Sequence, residues 1–457
     1  MATQLTTKAS ISAPRRLRYV GGGSLLVGNL PEFTRDRLNF LLRMARAGDV
    51  TALRFGPFTV ILFNRPEHVQ SILVEHAYDF DKGLAVHKVF RPVIGDGIFS
   101  SEGDFHRRQR KLMAPPFQPR HIAGYADIMG HYGEQIQQTW SDGSVVDINH
   151  EMTKLTMSII GKALFDADVF TEADELGAAM STTLAYVSRG ISRLFPPPYS
   201  WPLPSSRRTH RAVDVLRTHI RGFIDERRAN PSERTDFLSI LLQARDEDGK
   251  PMSDEQLMAE CLTLFGAGHE TTATALTWCW YLLCQHPEIY QRVQHEVDSV
   301  LQGRTPTYAD LARLPYCLQV FKESLRIYPP AYATSRRALR DIEIDGYLVR
   351  KHQVVILSPY TLHRREDFYP QPEKFDPERF MPEREKQLPR HAYLPFGAGP
   401  RICIGNHFSL MEGHLLLATL AQRVGFTLVP GQELVIDPIH HLTLRPAGAL
   451  NVTVRKR

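Results

Sequence analysis

The sequence is poor in cysteine and lacks a long apolar run. The five cysteines, an odd number without the close spacings of a disulfide framework or a zinc site, are Cys261, Cys279, Cys284, Cys317 and Cys403. The longest uncharged stretch near the N-terminus, residues 19–31, includes three consecutive glycines and is shorter than the roughly 20 apolar residues of a membrane span. We therefore expect a cytoplasmic protein without a membrane anchor or a signal peptide.

An excess of charge of one sign is also absent. The chain has 55 Lys and Arg residues against 50 Asp and Glu residues, and the net charge of +5 is dispersed over 457 residues. This balance argues against a nucleic-acid partner, although a basic face can guide an acidic protein. Neither repeats, low-complexity segments nor linkers divide the sequence. We expect one domain over residues 1–457, with residues 1–30 as an extended or poorly ordered arm.

Helical patterns dominate from Asp36 to about Leu420. Strand-like patterns are confined to residues 50–64, 341–359 and the tail 449–456. The sequence therefore predicts a mainly α fold with small β-sheets. Residues 195–206 are predicted to form a loop between helices, because proline removes amide donors and clashes with the preceding helical turn.

The longest helical pattern runs from a capping-box pair, Ser253 and Gln256, to the stop signal at His286 and Pro287. Its middle, residues 265–272, has the sequence FGAGHETT, in which each glycine costs roughly 1 kcal/mol relative to alanine. A purely structural helix gains nothing from this combination, which indicates a functional site. The alternative is a tight helix crossing that needs small residues.

Near the C-terminus, the sequence PFGAGPRICIGNHF surrounds Cys403 with glycines and an arginine. A buried cysteine is more often a small hydrophobic residue. Here the glycines allow tight turns and close approach of a large flat ligand, Arg401 supplies positive charge, and an amphipathic helix is predicted to follow. Positive charge, backbone amides and a helix N-terminus all stabilise a thiolate, which can ligate iron.

With this loop the sequence resembles the cytochrome P450 family. The family's haem-binding signature is matched by Phe396, Gly399, Arg401, Cys403 and Gly405. The resemblance implies a helical prism that encloses haem b, bound non-covalently, with the Cys403 thiolate as axial ligand to the iron. Phe396 and the loop amides are implied to shield the sulfur and to donate hydrogen bonds to it.

Further motifs match in the family's order. The resemblance implies that Glu323, Arg326 and Arg379 form a buried ion network that supports the haem without a catalytic role. An isolated Glu-x-x-Arg pair, by contrast, is usually a surface salt bridge worth little.

Three basic residues are implied to bind the haem propionates: His106 and Arg110 in residues 103–117, and Arg336 in the strand that passes over the haem. Arg337 is the alternative if the register of that strand differs by one residue. Ala333 is expected to form a wall of the substrate pocket. The neighbouring basic residues that we expect to face solvent, where they help to dock a redox partner, are Arg107, Arg108 and Lys111.

The segment AGHETT, residues 267–272, matches the family's oxygen-activation motif. Ala267 is expected to leave room beside the haem, and Glu270 and Thr271 to relay protons during oxygen activation. The alternative for Thr271 is a hydroxyl that bonds only a backbone carbonyl. Family members that attach haem covalently have a glutamate where Ala267 stands, so the resemblance implies no covalent attachment.

The resemblance covers residues from about Phe55 to the C-terminus and implies a monooxygenase that inserts one atom of dioxygen into a lipophilic molecule such as a fatty acid, terpenoid, steroid or drug-like compound. Electrons are expected from a separate ferredoxin or flavodoxin with its NAD(P)H reductase, because too few residues follow Cys403 for a reductase domain. We expect a monomer. Candidate pocket segments are residues 87–103, 195–206 and 437–446.

Two other functions remain open on the sequence alone. One is a peroxygenase or rearrangement enzyme of the same fold, which usually lacks the acid–threonine pair that Glu270 and Thr271 supply here. The other is a haem-binding sensor without turnover, because fold alone does not fix function. Electron-dependent consumption of a substrate distinguishes the three functions.

Overall fold

The computed structural model describes residues 15–457 except 22, 25, 192, 194, 231–233, 235, 433 and 437–440. The helices of the described residues are α1 (Leu30–Arg35), α2 (Arg37–Ala47), α3 (Pro66–Gln70), α4 (Arg91–Ile94), α5 (Gly103–Met113), α6 (Pro119–Gly124), α7 (Ala126–Gln138), α8 (Ile148–Phe165), α9 (Ala173–Ile191), α10 (Pro204–Ala229), α11 (Phe237–Gln243), α12 (Asp254–Gln285), α13 (Pro287–Leu301), α14 (Pro315–Ile327), α15 (Pro359–Leu362), α16 (Pro382–Glu385) and α17 (Asn406–Arg423). The architecture is mainly helical, as predicted.

The strands are short and lie at the margins of the helical body. They are β1 (Arg18–Tyr19), β2 (Val50–Phe55), β3 (Phe58–Phe63), β4 (Phe80–Asp81), β5 (Val145–Asp147), β6 (Thr334–Ala338), β7 (Ile342–Ile344), β8 (Tyr347–Val349), β9 (Val354–Leu357), β10 (Val424–Leu428) and β11 (Asn451–Lys456). Among the described residues they form a six-stranded sheet in the order β1-β2-β3-β9-β6-β4, a three-stranded sheet β10-β11-β5 and the hairpin β7-β8. In the largest sheet, antiparallel pairing places Asp81 of β4 opposite Arg337 of β6.

The long helix predicted from the sequence is α12, whose 32 residues span about 48 Å. Ser253 caps its N-terminus by accepting a hydrogen bond from the Gln256 backbone N–H. Only this half of the predicted capping box forms, because the Gln256 side chain donates instead to the Asp96 carbonyl and the Glu260 carboxylate. The helix ends at His286, immediately before Pro287, as predicted.

Helix α12 crosses α8 in the middle of the core. A Cβ at Gly268 would lie 2.7 Å from the Ile160 side chain. The tight crossing considered as an alternative for the glycines of this segment is therefore present at Gly268. It does not account for the exposed Ala267 beside it.

Helix α17 follows the Cys403 loop, as predicted, but it is not amphipathic. All residues from Met411 to Gln422 are buried. Two of its polar side chains bond within the protein: His414 Nε2 lies 2.7 Å from the Leu314 carbonyl oxygen, and Gln422 Nε2 donates to the Arg304 carbonyl. These two polar positions are thus satisfied inside the core.

Two further expectations meet the structure only in part. Residues 1–14 of the expected N-terminal arm lie outside the described residues, whereas Arg18 and Tyr19 form strand β1 beside β2. The predicted loop at 195–206 ends earlier than expected, because Pro204 begins α10. Proline is tolerated there, since the first turn of a helix needs no amide donor.

Candidate active site

Accessible surface interrupts the buried middle of α12. Most residues of this helix between Leu257 and Leu283 are buried, yet Ala267 is exposed, and Gly268 and Thr271 are only half-buried. The Cys403 side chain is likewise exposed, although surrounding protein buries the thiol enough to raise its pKa. Groups enclosed by protein that retain accessible surface border a cavity rather than bulk solvent.

A hydrogen bond joins the two sides of this site. The Thr272 and Ser409 hydroxyl oxygens lie 3.1 Å apart, which places the first turn of α17 beside the α12 turn that carries Thr271. Because the Cys403 loop leads directly into α17, the thiol and the Ala267–Thr271 surface lie at the same junction between helices.

The Cys403 loop is a rigid turn. The Cys403 backbone N–H donates to the Phe396 carbonyl at 2.9 Å. Gly399 has a φ of +69°, and a side chain there would overlap the Leu73 carbonyl, so only glycine fits. Burial raises the pKa of the thiol, while the Gly405 N–H and the Arg110 cation act in the opposite direction. One amide of the loop and the Arg110 cation of α5 thus act on the sulfur.

A group of basic residues, which we call the cation cluster, lies beside this loop and comprises Lys82, His106, Arg110, Arg336 and Arg401. The Arg110 guanidinium donates to the Ile402 carbonyl, and Arg401 donates to the Ser101 carbonyl and pairs with Glu102. The structure therefore brings all four sequence-predicted basic residues of the haem site to one region.

Positive charges of the cation cluster are poorly compensated. Burial, followed by the charges of Arg401 and Lys82, lowers the pKa of His106 to about 3. Burial and the charge of Arg401 lower the pKa of Arg336 to about 10. Among the described residues, no carboxylate forms an ion pair with Arg336. A protein gains stability from buried cations only when anions accompany them, which indicates an anionic ligand.

The structure distinguishes between the two candidate arginines of β6. Arg337 donates from Nε to Asp81 Oδ1 at 3.1 Å and forms an ion pair with that carboxylate across the sheet. Arg336 points to the other face of the strand and, among the described residues, bonds only the Thr334 hydroxyl and the Ser335 carbonyl. Arg336 is thus the arginine left available to a ligand.

Lys82 is the member of the cation cluster that the sequence analysis missed. It directly follows β4, and its ammonium lies 3.8 Å from the centroid of the Phe99 ring. Burial and the charge of Arg336 hold its pKa well below the ordinary value. No local motif marks this lysine, because its position depends on the pairing of β4 with β6, more than 250 residues away.

The two residues of the predicted proton relay do not bond each other. The Thr271 hydroxyl donates to the Ala267 carbonyl at 2.9 Å, which is the alternative considered from the sequence. Glu270 is buried on a different side of α12, where its carboxylate accepts a 2.8 Å hydrogen bond from Thr443 and lies 3.5 Å from Arg445. The sequence analysis missed both partners of Glu270.

Glu323, Arg326 and Arg379 lie together, as predicted, and we call them the Glu323 cluster. Arg326 donates from Nε and Nη2 to the two carboxylate oxygens at 2.7 and 2.9 Å, and Arg379 Nε is 3.4 Å from Oε1. Glu323 and Arg326 are fully buried.

Basic residues on the outer face of α5 are exposed but paired. Arg107 forms an ion pair with Asp104, Arg108 with Asp246 at 3.5 Å and Lys111 with Glu247 at 2.7 Å. An acidic turn before α12 therefore covers part of this basic surface.

The candidate pocket wall Ala333 is half-buried, next to Tyr332. Of the predicted pocket segment 437–446, residues 437–440 lie outside the described residues. Leu444 donates from its backbone to the Pro330 carbonyl and accepts a hydrogen bond from Trp278, so this segment lies along α12. Of the helices within the described residues, none combines the length and hydropathy that a bilayer span requires.

Comparison with known proteins gives consistent matches over nearly the whole chain. The cytochrome P450 family model matches residues 21–451, and so begins before Phe55, where the sequence resemblance was expected to start. Cyclooctatin synthase of Streptomyces melanosporofaciens is 38% identical over 431 residues, 93% of each chain. Pentalenene oxygenase of Streptomyces avermitilis is 31% identical over 415 residues, 90% of this chain and 92% of the relative. The solved structure of the retinoic acid-bound cyanobacterial CYP120A1 superposes with a TM-score of 0.85 at 27% identity, covering 98% of this chain and all of that one.

Proposed function

Because this chain belongs to the cytochrome P450 family and is a cytochrome P450 monooxygenase, we propose that it binds haem b through Cys403, oxidises a terpenoid and receives electrons from a separate redox protein. One observation carries the proposal: the Cys403 thiol borders the same helix junction as the exposed Ala267, beside a cation cluster in which only Arg401 pairs with a carboxylate of the described residues.

The residues present fit a haem. Cys403 is the exposed cysteine of the described residues, and its thiolate is a ligand that haem iron accepts. The cation cluster supplies the charge that two buried carboxylates need, with Arg336 and Lys82 unpaired by acidic residues of the described chain. When bound, haem supplies the activation of dioxygen. Arg110, Arg336, His106 and Lys82 would bind the propionates, and Arg401, which pairs with Glu102, would add charge beside them.

Around the sulfur, the loop controls basicity. The Gly405 N–H donates to the thiolate, and the Phe396 ring beside the loop restricts water. Hydrogen bonds to a ligating sulfur lower its electron donation to the metal. The Glu323 cluster fixes α14 against the segment that precedes the loop, since Glu323 also accepts the Asp376 backbone N–H.

Thr271 and Glu270 handle protons in separate steps. Rotation about the Cα–Cβ bond turns the Thr271 hydroxyl from the Ala267 carbonyl into the cavity. Glu270, held by Thr443 and Arg445, passes protons from that side of α12 toward the cavity through water.

Thr271→Ala should uncouple electron consumption from product formation and release peroxide. Thr277→Ala is a matched control, because Thr277 donates the same type of hydrogen bond, to the Ala273 carbonyl, within the buried part of α12. Full coupling in Thr271→Ala would remove Thr271 from the relay.

The relatives and the accessible alanines of the site support a terpenoid substrate. Pentalenene oxygenase and a second Streptomyces relative, cyclooctat-9-en-7-ol 5-monooxygenase, 35% identical over 438 residues, are named for the oxidation of terpenoid skeletons. Ala267 and Ala333 present small apolar side chains, which leave space for a bulky polycyclic molecule. The electron donor is a ferredoxin or flavodoxin, whose acidic surface fits Arg107, Arg108 and Lys111 on α5.

The decisive experiment is the difference spectrum of the reduced, carbon monoxide-bound protein. Thiolate ligation gives a strongly red-shifted Soret band, which Cys403→Ala should abolish and Cys284→Ala should leave unchanged. A histidine-type band or a band that survives in Cys403→Ala would overturn the ligand assignment. Terpenoid turnover is then measured with NADPH, ferredoxin and reductase, and separately with peroxide alone. Turnover in the peroxide assay but not in the NADPH assay would instead indicate a peroxygenase. No turnover in either assay would indicate a haem-binding protein.

A further inference from the structure

Helix α12 holds a buried histidine beside Glu270 that takes no part in the proton transfer proposed above. The His269 side chain has no exposed surface. Its Nδ1 lies 2.8 Å from the Phe265 carbonyl oxygen, one turn earlier on the helix. A carbonyl oxygen can only accept a hydrogen bond, so Nδ1 is the ring nitrogen that carries the hydrogen. In the neutral ring, Nε2 is therefore an acceptor.

The acceptor at His269 Nε2 is unsatisfied. It is buried and has no hydrogen-bond partner among the described residues. Oε2 of the neighbouring Glu270 carboxylate lies 3.9 Å away. An ionised carboxylate also only accepts hydrogen bonds, so these two atoms can bond to each other only when a proton joins them. Because an unpaired buried acceptor is unfavourable, the site favours the arrival of one proton.

Glu270 lies between two partners that stabilise opposite protonation states. Its Oε1 accepts a 2.8 Å hydrogen bond from the Thr443 hydroxyl. Its Oε2 is 3.5 Å from Arg445 Nη1 and 3.9 Å from His269 Nε2, and both distances are longer than an ordinary hydrogen bond. The Arg445 guanidinium stabilises the ionised carboxylate, whereas a neutral imidazole accepts a hydrogen bond from the protonated carboxyl group. Because Oε2 lies at similar distances from both partners, a small rotation of the carboxyl group exchanges one for the other.

We propose that His269 is a positioning residue for proton delivery, whose Nε2 accepts a hydrogen bond from Glu270 while that carboxyl group carries a proton. A general acid must hold its proton near the working pH, whereas an ordinary carboxyl group has lost it there. The proton reaches Glu270 from the solvent at the half-buried Arg445 and leaves toward the cavity, after which the carboxylate returns to Arg445. The inference deepens the proposed function, because it rests on Glu270 as a proton donor.

The surroundings of His269 keep the ring neutral. Burial lowers its pKa and the charge of Arg445 acts in the same direction, while Glu270 and the carbonyl one turn earlier oppose them. Helix α8 faces this turn with the Thr156 hydroxyl, which donates to the His269 carbonyl at 3.1 Å, and with the Ile160 side chain, neither of which titrates. Within the described residues, the charged groups that act on the ring are thus Glu270 and Arg445. A neutral ring is the form that accepts a hydrogen bond at Nε2.

Infrared spectroscopy of the holoenzyme at a series of pH values tests this contact without turnover. It follows the carbonyl stretch of protonated Glu270, which is identified by its loss in Glu270→Gln. His269→Asn keeps a donor for the Phe265 carbonyl, because the asparagine amide nitrogen takes the place of Nδ1, but it removes Nε2. We expect the Glu270 band to titrate about one pH unit lower in this variant, which means about tenfold weaker binding of the proton. Arg445→Gln should shift the titration about one pH unit in the opposite direction.

Two further variants separate this contact from a structural role of the ring. His269→Gln places an amide close to the position of Nε2 and should restore most of the wild-type titration. His414→Asn is the matched control, because His414 is also buried on a helix and its ring bonds a carbonyl, that of Leu314. It should leave the titration of Glu270 unchanged. Thermal unfolding verifies that each variant is folded. An unchanged titration in folded His269→Asn, or in Arg445→Gln if His269→Asn does not fold, would refute the contact, as would the absence of a Glu270 band at every pH.

Electron consumption then tests the role in proton delivery. With NADPH, ferredoxin and reductase at neutral pH, His269→Asn should oxidise NADPH about tenfold more slowly, because the proton-carrying form of Glu270 is about tenfold less populated. Its carbon monoxide difference spectrum should match that of the wild type. A shifted infrared titration with an unchanged oxidation rate would overturn the role of His269 in proton delivery. A wild-type spectrum without thiolate ligation would instead refute the proposed function, whereas the infrared titration needs no haem and still reports on the contact.

Discussion

Two clusters of buried arginines lie in this molecule, and they differ in what neutralises them. In the Glu323 cluster, one carboxylate receives hydrogen bonds from Arg326 and lies beside Arg379, with no need of a ligand. In the cation cluster, Arg336 and Lys82 are half-buried, and neither forms an ion pair with a carboxylate of the described residues. The first arrangement serves the fold alone, whereas the second is stable only when an anion arrives. The presence or absence of a carboxylate partner thus distinguishes a structural network from a binding site.

Among the variants that test this comparison, the one that removes the charge of Glu323 should have the largest effect on stability. Glu323→Gln leaves the fully buried Arg326 without a counter-charge, and we expect a loss of about 3–5 kcal/mol in the free energy of unfolding. Chemical denaturation of the apoprotein measures this loss. If the Glu323→Gln apoprotein is as stable as the wild type, Glu323 is not the counter-charge that stabilises Arg326.

Arg336→Gln should behave in the opposite way. The apoprotein should keep its stability, because the variant removes a buried positive charge that lacks an acidic partner. Haem affinity should fall by about 1.5–3 kcal/mol, which is about 10- to 100-fold, because a charged hydrogen-bond donor to a propionate is lost. Haem titration of the refolded apoprotein gives the value. Arg337→Gln is the matched control on the same strand, and equal haem affinities of the two variants would contradict the assignment of Arg336.

The pH dependence of apoprotein stability tests whether Lys82 belongs to the cation cluster. Its pKa in the folded apoprotein is well below the ordinary 10.5, so the unfolded chain binds the proton more tightly. Apoprotein stability should therefore rise as the pH increases from the folded pKa toward 10.5, and this contribution should be lost below the folded pKa. Lys82→Met should remove that slope. Urea denaturation at several pH values measures the free energy of unfolding against pH. If the wild type and Lys82→Met have the same slope, Lys82 does not belong to the cation cluster.

The smallest effect is expected at the edge of the Glu323 cluster. Arg379 Nε lies 3.4 Å from the carboxylate, and its Nη2 donates to the Pro370 and Gln371 carbonyls. Arg379→Gln should cost only about 1–2 kcal/mol, since Arg326 still neutralises Glu323. A loss of unfolding free energy as large as that of Glu323→Gln would show that Arg379, and not Arg326, is the main counter-charge of Glu323.

Local signals in the sequence were sufficient for the ends of α12 and for the Cys403 loop, but not for the short strands β1, β4, β5 and β10, which lie outside the predicted strand segments. Ser253 and Pro287 delimit α12 because capping and proline chemistry act within a few residues. The loop could be recognised because its glycines and Arg401 are adjacent in sequence to Cys403. The sequence left Arg336 and Arg337 as alternatives one residue apart. Arg337 pairs with Asp81, which makes Arg336 the proposed propionate ligand.

What could not be predicted depends on contacts between distant segments. Lys82 joins the cation cluster through the pairing of β4 with β6, and Glu260 meets Ile98 across 162 residues. The prediction of an amphipathic α17 was wrong for the same reason. Its His414 and Gln422 suggested a polar face, but carbonyls of distant loops satisfy them within the core.

The segment Thr443–Arg445 has a consequence for anyone who redesigns this enzyme. It contacts α12 at three positions one turn apart: Glu270 and Thr274 through the Thr443 hydroxyl, and Trp278 through the Leu444 carbonyl. The stretch expected from the sequence to line the pocket thus also holds the carboxylate proposed to supply protons. Replacing this segment with that of a relative, in order to change substrate preference, would also change the surroundings of Glu270. Substrate selectivity and coupling efficiency would therefore change together.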